Sequence, residues 1–179
     1  MGKTPVRLTT PVKRDTLRSL KAGDAVAVTG EFLVFRDQAH RLLAGLFDEG
    51  GEAPFELAGR MLYYCGPTPA RDGMAVGSAG PTTSSRMDRY TGMLLERGLA
   101  ATIGKGGRSP EVVGLMRRHE AVYFVATGGA GALLAKHITA SRVVAFPELG
   151  TEAARIFSVV EFPLIVGIDS RGESAFAGM

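Results

Sequence analysis

The sequence predicts a mixed α/β fold, and three observations carry that prediction. Apolar or β-branched runs of strand length recur along the chain, as in Ala121–Ala126 and Pro163–Ile168. Between them lie stretches with apolar residues at helical spacing, such as Leu42, Leu43, Leu46 and Phe47. The 24 glycines, about twice the usual share, fall mostly at the junctions and mark tight turns or close backbone approaches. Strands interleaved with helices, plus a few hairpin-like pairs, call for both parallel and antiparallel pairing. A length of 179 residues fits one domain, 1–179, with a core that needs no disulfide or metal staple.

Taken in order, Val6-Arg7-Leu8 is a short extended segment, and a helical turn is expected over Asp15–Leu20, followed by a turn at Lys21-Ala22-Gly23-Asp24. Ala25–Val28 and Glu31–Phe35 read as two strand segments that Thr29-Gly30 interrupts with a hairpin or bulge. The next helix is predicted with Asp37 as N-cap and Gly50-Gly51 as its end, which puts Arg36 just outside a helix start and His40 inside the helix. Glu52–Arg60 reads as a loop or edge strand, and Met61–Cys65 is a compact apolar strand closed by Gly66-Pro67. Cys65 should face the core.

Ser85 and Asp88 have capping-box spacing, so a helix is predicted from about residue 85 to a C-cap at Gly98. Leu99–Ile103 is a strand, Pro110–His119 a helix with proline in its first turn, and Ala121–Ala126 a buried strand. Thr127–Gly131 then turns into a helix expected to reach about Ile138. Val143–Phe146 is another strand, Thr151–Phe157 begins as a helical turn, and Pro163–Ile168 is the last strand before the turn at Asp169–Gly172.

Composition excludes several function classes. The net charge of +3 is spread along the chain with no Lys/Arg block, which argues against a nucleic-acid partner. One cysteine permits no intrachain disulfide and cannot by itself supply the thiolates of a zinc or iron-sulfur site, so no metal ligands are assigned here. The longest uncharged run, Ala121–Ala135, is too short and glycine-rich to span a bilayer, and the amino terminus lacks the apolar core of a signal peptide. A cytoplasmic protein without a membrane partner is the expectation.

The densest chemistry lies in Gly80-Pro81-Thr82-Thr83-Ser84-Ser85-Arg86-Met87-Asp88, where four consecutive hydroxyls and an arginine surround a helix start. Unpaired N–H groups and a partial positive charge at such an end attract carboxylate or phosphate. Arg36 and Lys105 share that context, each following a strand and flanked by a helix start or by glycines. Two arginine forks and one lysine ammonium, if they converge, suit a small dicarboxylic acid. Gly128-Gly129-Ala130-Gly131 suggests a backbone contact to a small ligand. As a nucleotide fingerprint it fails, because Leu134 stands where the third glycine belongs.

Several segments together resemble the β subunit, or carboxy-terminal region, of class I fumarases and L-tartrate dehydratases. They are Thr29-Gly30 through Arg36-Asp37-Gln38-Ala39-His40, Tyr64-Cys65-Gly66-Pro67, Gly77 through Asp88, Gly104-Lys105-Gly106, Gly128-Gly129-Ala130 and Phe162-Pro163. The string Gly-Pro-Thr-Thr to Arg-Met-Asp is the most specific of these, and the likeness covers nearly the whole chain. One departure is Leu42 after Arg41, where the family often carries a second basic residue.

The resemblance implies a swivelling β/β/α domain with mixed parallel and antiparallel sheets, paired with an α subunit whose cysteines hold a 4Fe-4S cluster, in an α2β2 assembly. It further implies a hydro-lyase acting on a C4 dicarboxylate, with malate and fumarate ahead of tartrate. The cluster iron serves such enzymes as Lewis acid on the substrate hydroxyl and carboxylate. By motif position Thr82 is the residue that removes the carbon-bound proton, with Arg36, Arg86, Lys105 and Thr83 as substrate contacts and Asp37, His40, Asp88, Gly128 and Gly129 in support. A threonine hydroxyl is a poor base unless its own proton is shared, which a partner carboxylate, Asp37 or Asp88 could do. The competing reading is a non-enzymatic module that binds small carboxylates or other anions with the same loops.

Overall fold

The computed structural model describes residues 4–176 as seven strands and five α-helices. In chain order they are β1 (Val6–Thr9), α1 (Arg14–Ser19), β2 (Ala25–Val34), α2 (Asp37–Asp48), β3 (Met61–Tyr63), α3 (Asp88–Glu96), β4 (Ala101–Gly104), α4 (Pro110–His119), β5 (Val122–Val125), α5 (Gly131–Ala135), β6 (Ile138–Ala145) and β7 (Ala154–Ile168). Two 3₁₀ turns, Ser84–Met87 and Pro147–Glu152, precede α3 and β7.

The strands form one mixed sheet in the order β1-β2-β3-β4-β5-β7-β6. Pairing is parallel from β1 through β5, and antiparallel wherever β7 takes part. Because β7 also pairs with β2, the run β2-β3-β4-β5-β7 closes on itself. The expected mixture of parallel and antiparallel strands is therefore present.

Side-chain alternation divides the core in two. Phe32, Val34, Met61, Tyr63 and Cys65 point into one cluster with Leu17 of α1 and Leu134 of α5. Their neighbours Leu33, Phe35, Leu62 and Tyr64 point into the other, with Leu43 of α2, Leu94 of α3 and Met116 of α4. Strands buried on both faces read as continuous apolar runs, which is why Met61–Cys65 showed no alternation.

One local expectation is narrowed and several are corrected. Residues 25–34 form one strand with a register shift between Val28 and Gly30, so the interruption is a bulge and no hairpin forms. Gly30 is needed there, since its φ of 127° is disfavoured for other residues and a Cβ would strike the Thr10 hydroxyl. The N-cap of α2 is Arg36, and Asp37 is the first helical residue. The Ser85–Asp88 capping box does not form: a 3₁₀ turn starts at Ser84, and Asp88 opens α3 with its carboxylate directed elsewhere. Helix α5 stops at Ala135, before the expected Ile138, and the helical turn near Thr151 ends at Glu152, so Ala154–Phe157 belong to the 15-residue β7. That strand outcompetes a helix because it finds β2 on one side and β6 on the other.

Candidate functional site

Strands β3 and β4 part company at their carboxyl ends, and Thr82-Thr83-Ser84 enters the gap. The Tyr64 N–H still bonds the Ile103 carbonyl at 2.8 Å. Beyond it, the Thr82 N–H donates to the Tyr64 carbonyl at 2.7 Å, the Lys105 N–H to the Thr82 carbonyl at 3.3 Å, and the Ser84 N–H to the Lys105 carbonyl at 3.0 Å. Three backbone bonds thus fix Thr82 and Lys105 against each other. Gly104 makes this possible, because a Cβ there would strike the Ser84 hydroxyl. Tyr123 donates its hydroxyl proton to the Gly106 carbonyl at 2.7 Å, so Ser84 Oγ is the donor in its 2.9 Å bond to Tyr123.

Arg36 sits where β2 ends and α2 begins. Its guanidinium passes so close to Gly66 that a Cβ at that position would lie 2.7 Å from Arg36 Nε. Glu152 pairs with Arg36 Nη2 at 2.9 Å, and Nε is buried without a hydrogen-bond partner. Arg86, on the 3₁₀ turn, is gripped through two bonds of 3.0 and 2.9 Å by the Asp37 carboxylate. Lys105 makes no ion pair among the described residues, and Gly128 lies beside its stem, with space for a Cβ only 3.6 Å from Cδ.

These groups line one cleft of about 420 Å³ at the carboxyl ends of the parallel strands. The structure brings together Thr82, Thr83, Arg36, Arg86, Lys105 and Gly129 from the sequence reading, and the convergence assumed there is real. Gly66, Ser78, Gly80, Pro81 and Gly131 complete the wall: Gly80, Pro81 and Gly131 lie in stretches already read as ligand-facing, whereas Gly66 and Ser78 had been given no part in the site. Gly131 pins the Ser78–Pro81 loop: its carbonyl accepts the Ala79 N–H at 3.1 Å, and a Cβ would strike the Ser78 hydroxyl and come within 2.9 Å of the Gly80 nitrogen. Its sequence signal was the spare glycine after Gly128-Gly129. Three cations face two carboxylates, Asp37 and Glu152, so positive charge is left over for an anionic ligand.

The family described as the fumarase C-terminus matches residues 2–179. The chain belongs to that family. It is 37% identical over 153 residues to the anaerobic class I fumarate hydratase of Escherichia coli K12, covering 84% of this chain and 28% of that protein. It is 35% identical over 166 residues to fumarate hydratase 2 of Leishmania major, covering 92% of this chain and 29% of that one. The L(+)-tartrate dehydratase subunit beta of E. coli K12 is 33% identical over 175 residues, 95% of this chain and 86% of that subunit. The chain therefore spans less than a third of these fumarate hydratases and most of the tartrate dehydratase subunit.

Around the cleft of this fumarase C-terminus chain, the supporting residues divide. Asp37 holds Arg86 and so acts on the cleft wall directly. His40 is fully buried among Phe35, Tyr64 and Tyr90, and its Nδ1 lies 2.9 Å from the Arg36 carbonyl. A carbonyl can only accept, so the proton is on Nδ1, and burial pulls the imidazole down to about 4, leaving it neutral. Asp88 is turned away from the cleft: Arg108 Nε donates to it at 2.6 Å and the Ser109 N–H at 2.8 Å. Asp37 is thus committed to Arg86 and Asp88 to Arg108, and neither carboxylate bonds Thr82 among the described residues.

Thr82 itself is nearly buried, with 8% exposure, and its hydroxyl makes no hydrogen bond among the described residues. Cys65 is the only cysteine, is buried, and burial pushes its thiol up to about 12. An iron-sulfur cluster takes several thiolates, so the donor set of this chain does not fit one. No described helix is long and apolar enough to cross a membrane.

Proposed function

We propose that the chain, residues 1–179 as one swivelling β/β/α domain, is the β subunit of a cytoplasmic heteromeric hydro-lyase. It reversibly dehydrates a C4 hydroxy-dicarboxylate, malate to fumarate before tartrate to oxaloacetate. One observation carries this reading: Thr82 shares a single cleft with Arg36, Arg86 and Lys105, and the positive charge there exceeds the negative. The names of the relatives support it, and the match to most of a tartrate dehydratase beta subunit supports an α-subunit partner; an α2β2 assembly is part of the proposal. The 4Fe-4S cluster of such an enzyme is assigned to that partner, because Cys65 cannot hold it.

The work assigned to this chain is binding and proton transfer. Arg36 and Lys105 grip a substrate carboxylate, with Arg86 held by Asp37 on the adjoining wall and the Thr83 backbone joined to Lys105. Thr82 Oγ1 accepts the carbon-bound proton, and the neighbouring cations stabilise the enediolate charge that its removal creates. Because Asp37 and Asp88 are engaged, the group that takes the threonine proton belongs to the partner.

Purified alone, the chain should show no hydration of fumarate, followed by loss of absorbance, and should gain turnover when combined with its cluster-bearing partner. Hydration by the isolated chain at ordinary enzyme rates would sink the two-subunit reading.

A further inference from the structure

Helix α2 has no side-chain cap of its own. Its N-cap residue is Arg36, whose side chain points into the cleft, and no residue of the helix start bonds the free N–H groups with its side chain. The missing cap comes from across the fold: Glu152, at the end of the 3₁₀ turn before β7, accepts the Gln38 N–H with Oε2 at 3.2 Å. Its other oxygen, Oε1, lies 2.9 Å from Arg36 Nη2. One carboxylate therefore touches both the helix start and the guanidinium that the helix start presents.

The surroundings of Arg36 make that contact decisive. Nε is buried and bonds nothing, Gly66 closes the side along Nε, and the side chain as a whole is 29% exposed. Glu152 is the only carboxylate paired with it among the described residues. Without this anchor the arginine retains rotamers that leave the cleft, and a fork that must meet a planar carboxylate loses its aim. The anchor also lies on a constrained segment, since Phe146 and Gly150 both take positive φ, at 56° and 58°. The carboxylate is thus carried by the β6–β7 connection and not by α2 itself.

We infer that Glu152 is a positioning residue for Arg36, aiming the guanidinium into the cleft while it caps α2. This rests on the functional reading above. The bland alternative is a helix cap only, and a second is that Glu152 merely dilutes the charge of the cleft. The three differ in what Glu152→Gln does to the assembled enzyme. The amide keeps an oxygen for the Gln38 N–H and loses the charge that holds Arg36.

Positioning predicts that E152Q melts within a few degrees of the parent, because the cap survives, while kcat/KM for malate falls about tenfold through a higher KM. In an Arg36→Ala background, the same change should alter kcat/KM by less than about twofold, because the group it aims is gone. A lower KM in E152Q would show charge dilution and overturn the proposal, as would unchanged kinetics or an equal effect in both backgrounds. Should E152Q fail to assemble, Glu152→Asp, which keeps the charge but draws it back by a methylene, gives the same comparison. Full activity in Arg36→Lys and Arg36→Ala would instead remove the clamp reading itself, so the two failures are distinguishable.

Discussion

Lys105 and Arg108 stand three residues apart in one glycine-rich loop, and the fold sends them to opposite fates. Lys105 reaches the cleft and pairs with no carboxylate among the described residues. Arg108 turns inward until none of its side chain is exposed, where it meets Asp88, Thr102 and Thr91 at 2.6, 3.1 and 2.6 Å and lies against the rings of Tyr64 and Tyr123. One cation keeps its charge for a ligand, whereas the other spends it on tying α3 to β4. Ligand binding needs charge left uncompensated, and a stable core needs every buried charge answered.

Removing each cation gives the sharpest test of this contrast. Arg108→Leu leaves the largely buried Asp88 beside a single backbone N–H and should cost about 3 kcal/mol in denaturant unfolding, whereas Lys105→Met should leave the midpoint within experimental error and abolish turnover in the assembled enzyme. Equal losses of stability in the two variants would break the comparison.

A smaller effect concerns His40, which lies on the buried side with Arg108. Its folded value of about 4 lies below the ordinary 6.5, so between those two pH values the unfolded chain binds a proton that the folded chain refuses. Stability is therefore lost as pH falls from about 6.5 toward 4, by roughly 3 kcal/mol in all. Melting curves across that range should show the loss, and His40→Phe should flatten it. A parallel loss in the variant would assign the acid sensitivity to other groups.

On the open side, Arg86→Lys keeps the charge and gives up the two-point grip on Asp37. A fall in kcat/KM on the order of tenfold is expected. Arg171→Lys serves as control, since Arg171 binds Asp169 and the Leu20 carbonyl outside the cleft. Comparable activity in the two variants would refute the placement of Arg86.

Much of this was legible in the residues. Pro110–His119 is a helix to the residue because Ser109 caps it and Pro110 starts it, signals that local physics alone decides. The cleft was legible only in part. Glycine flanks and helix starts pointed to Arg36, Arg86 and Lys105, but they said nothing of the fate of Arg108, which is decided by Asp88, Thr91 and Thr102. Glu152 left no local signal, because its partners lie more than a hundred residues upstream. Ser85 and Asp88 had the spacing of a capping box and lost it to Arg108, a competitor that spacing does not reveal. The helical turn expected to begin at Thr151 is present but stops at Glu152, where strands on both sides of β7 take over.

The placement of β7 also sets the order in which the molecule can be completed. Strands β2 to β5 have no closing partner until the segment through Ile168 has been made, and Arg36 has no anchor until Glu152 arrives on the same stretch. On the ribosome, then, a chain that has already built Thr82 and Lys105 still carries an open sheet and an unaimed arginine. Its capacity to bind comes only with that later stretch, so a truncated product ending before β7 would present neither a closed sheet nor a finished clamp to a partner.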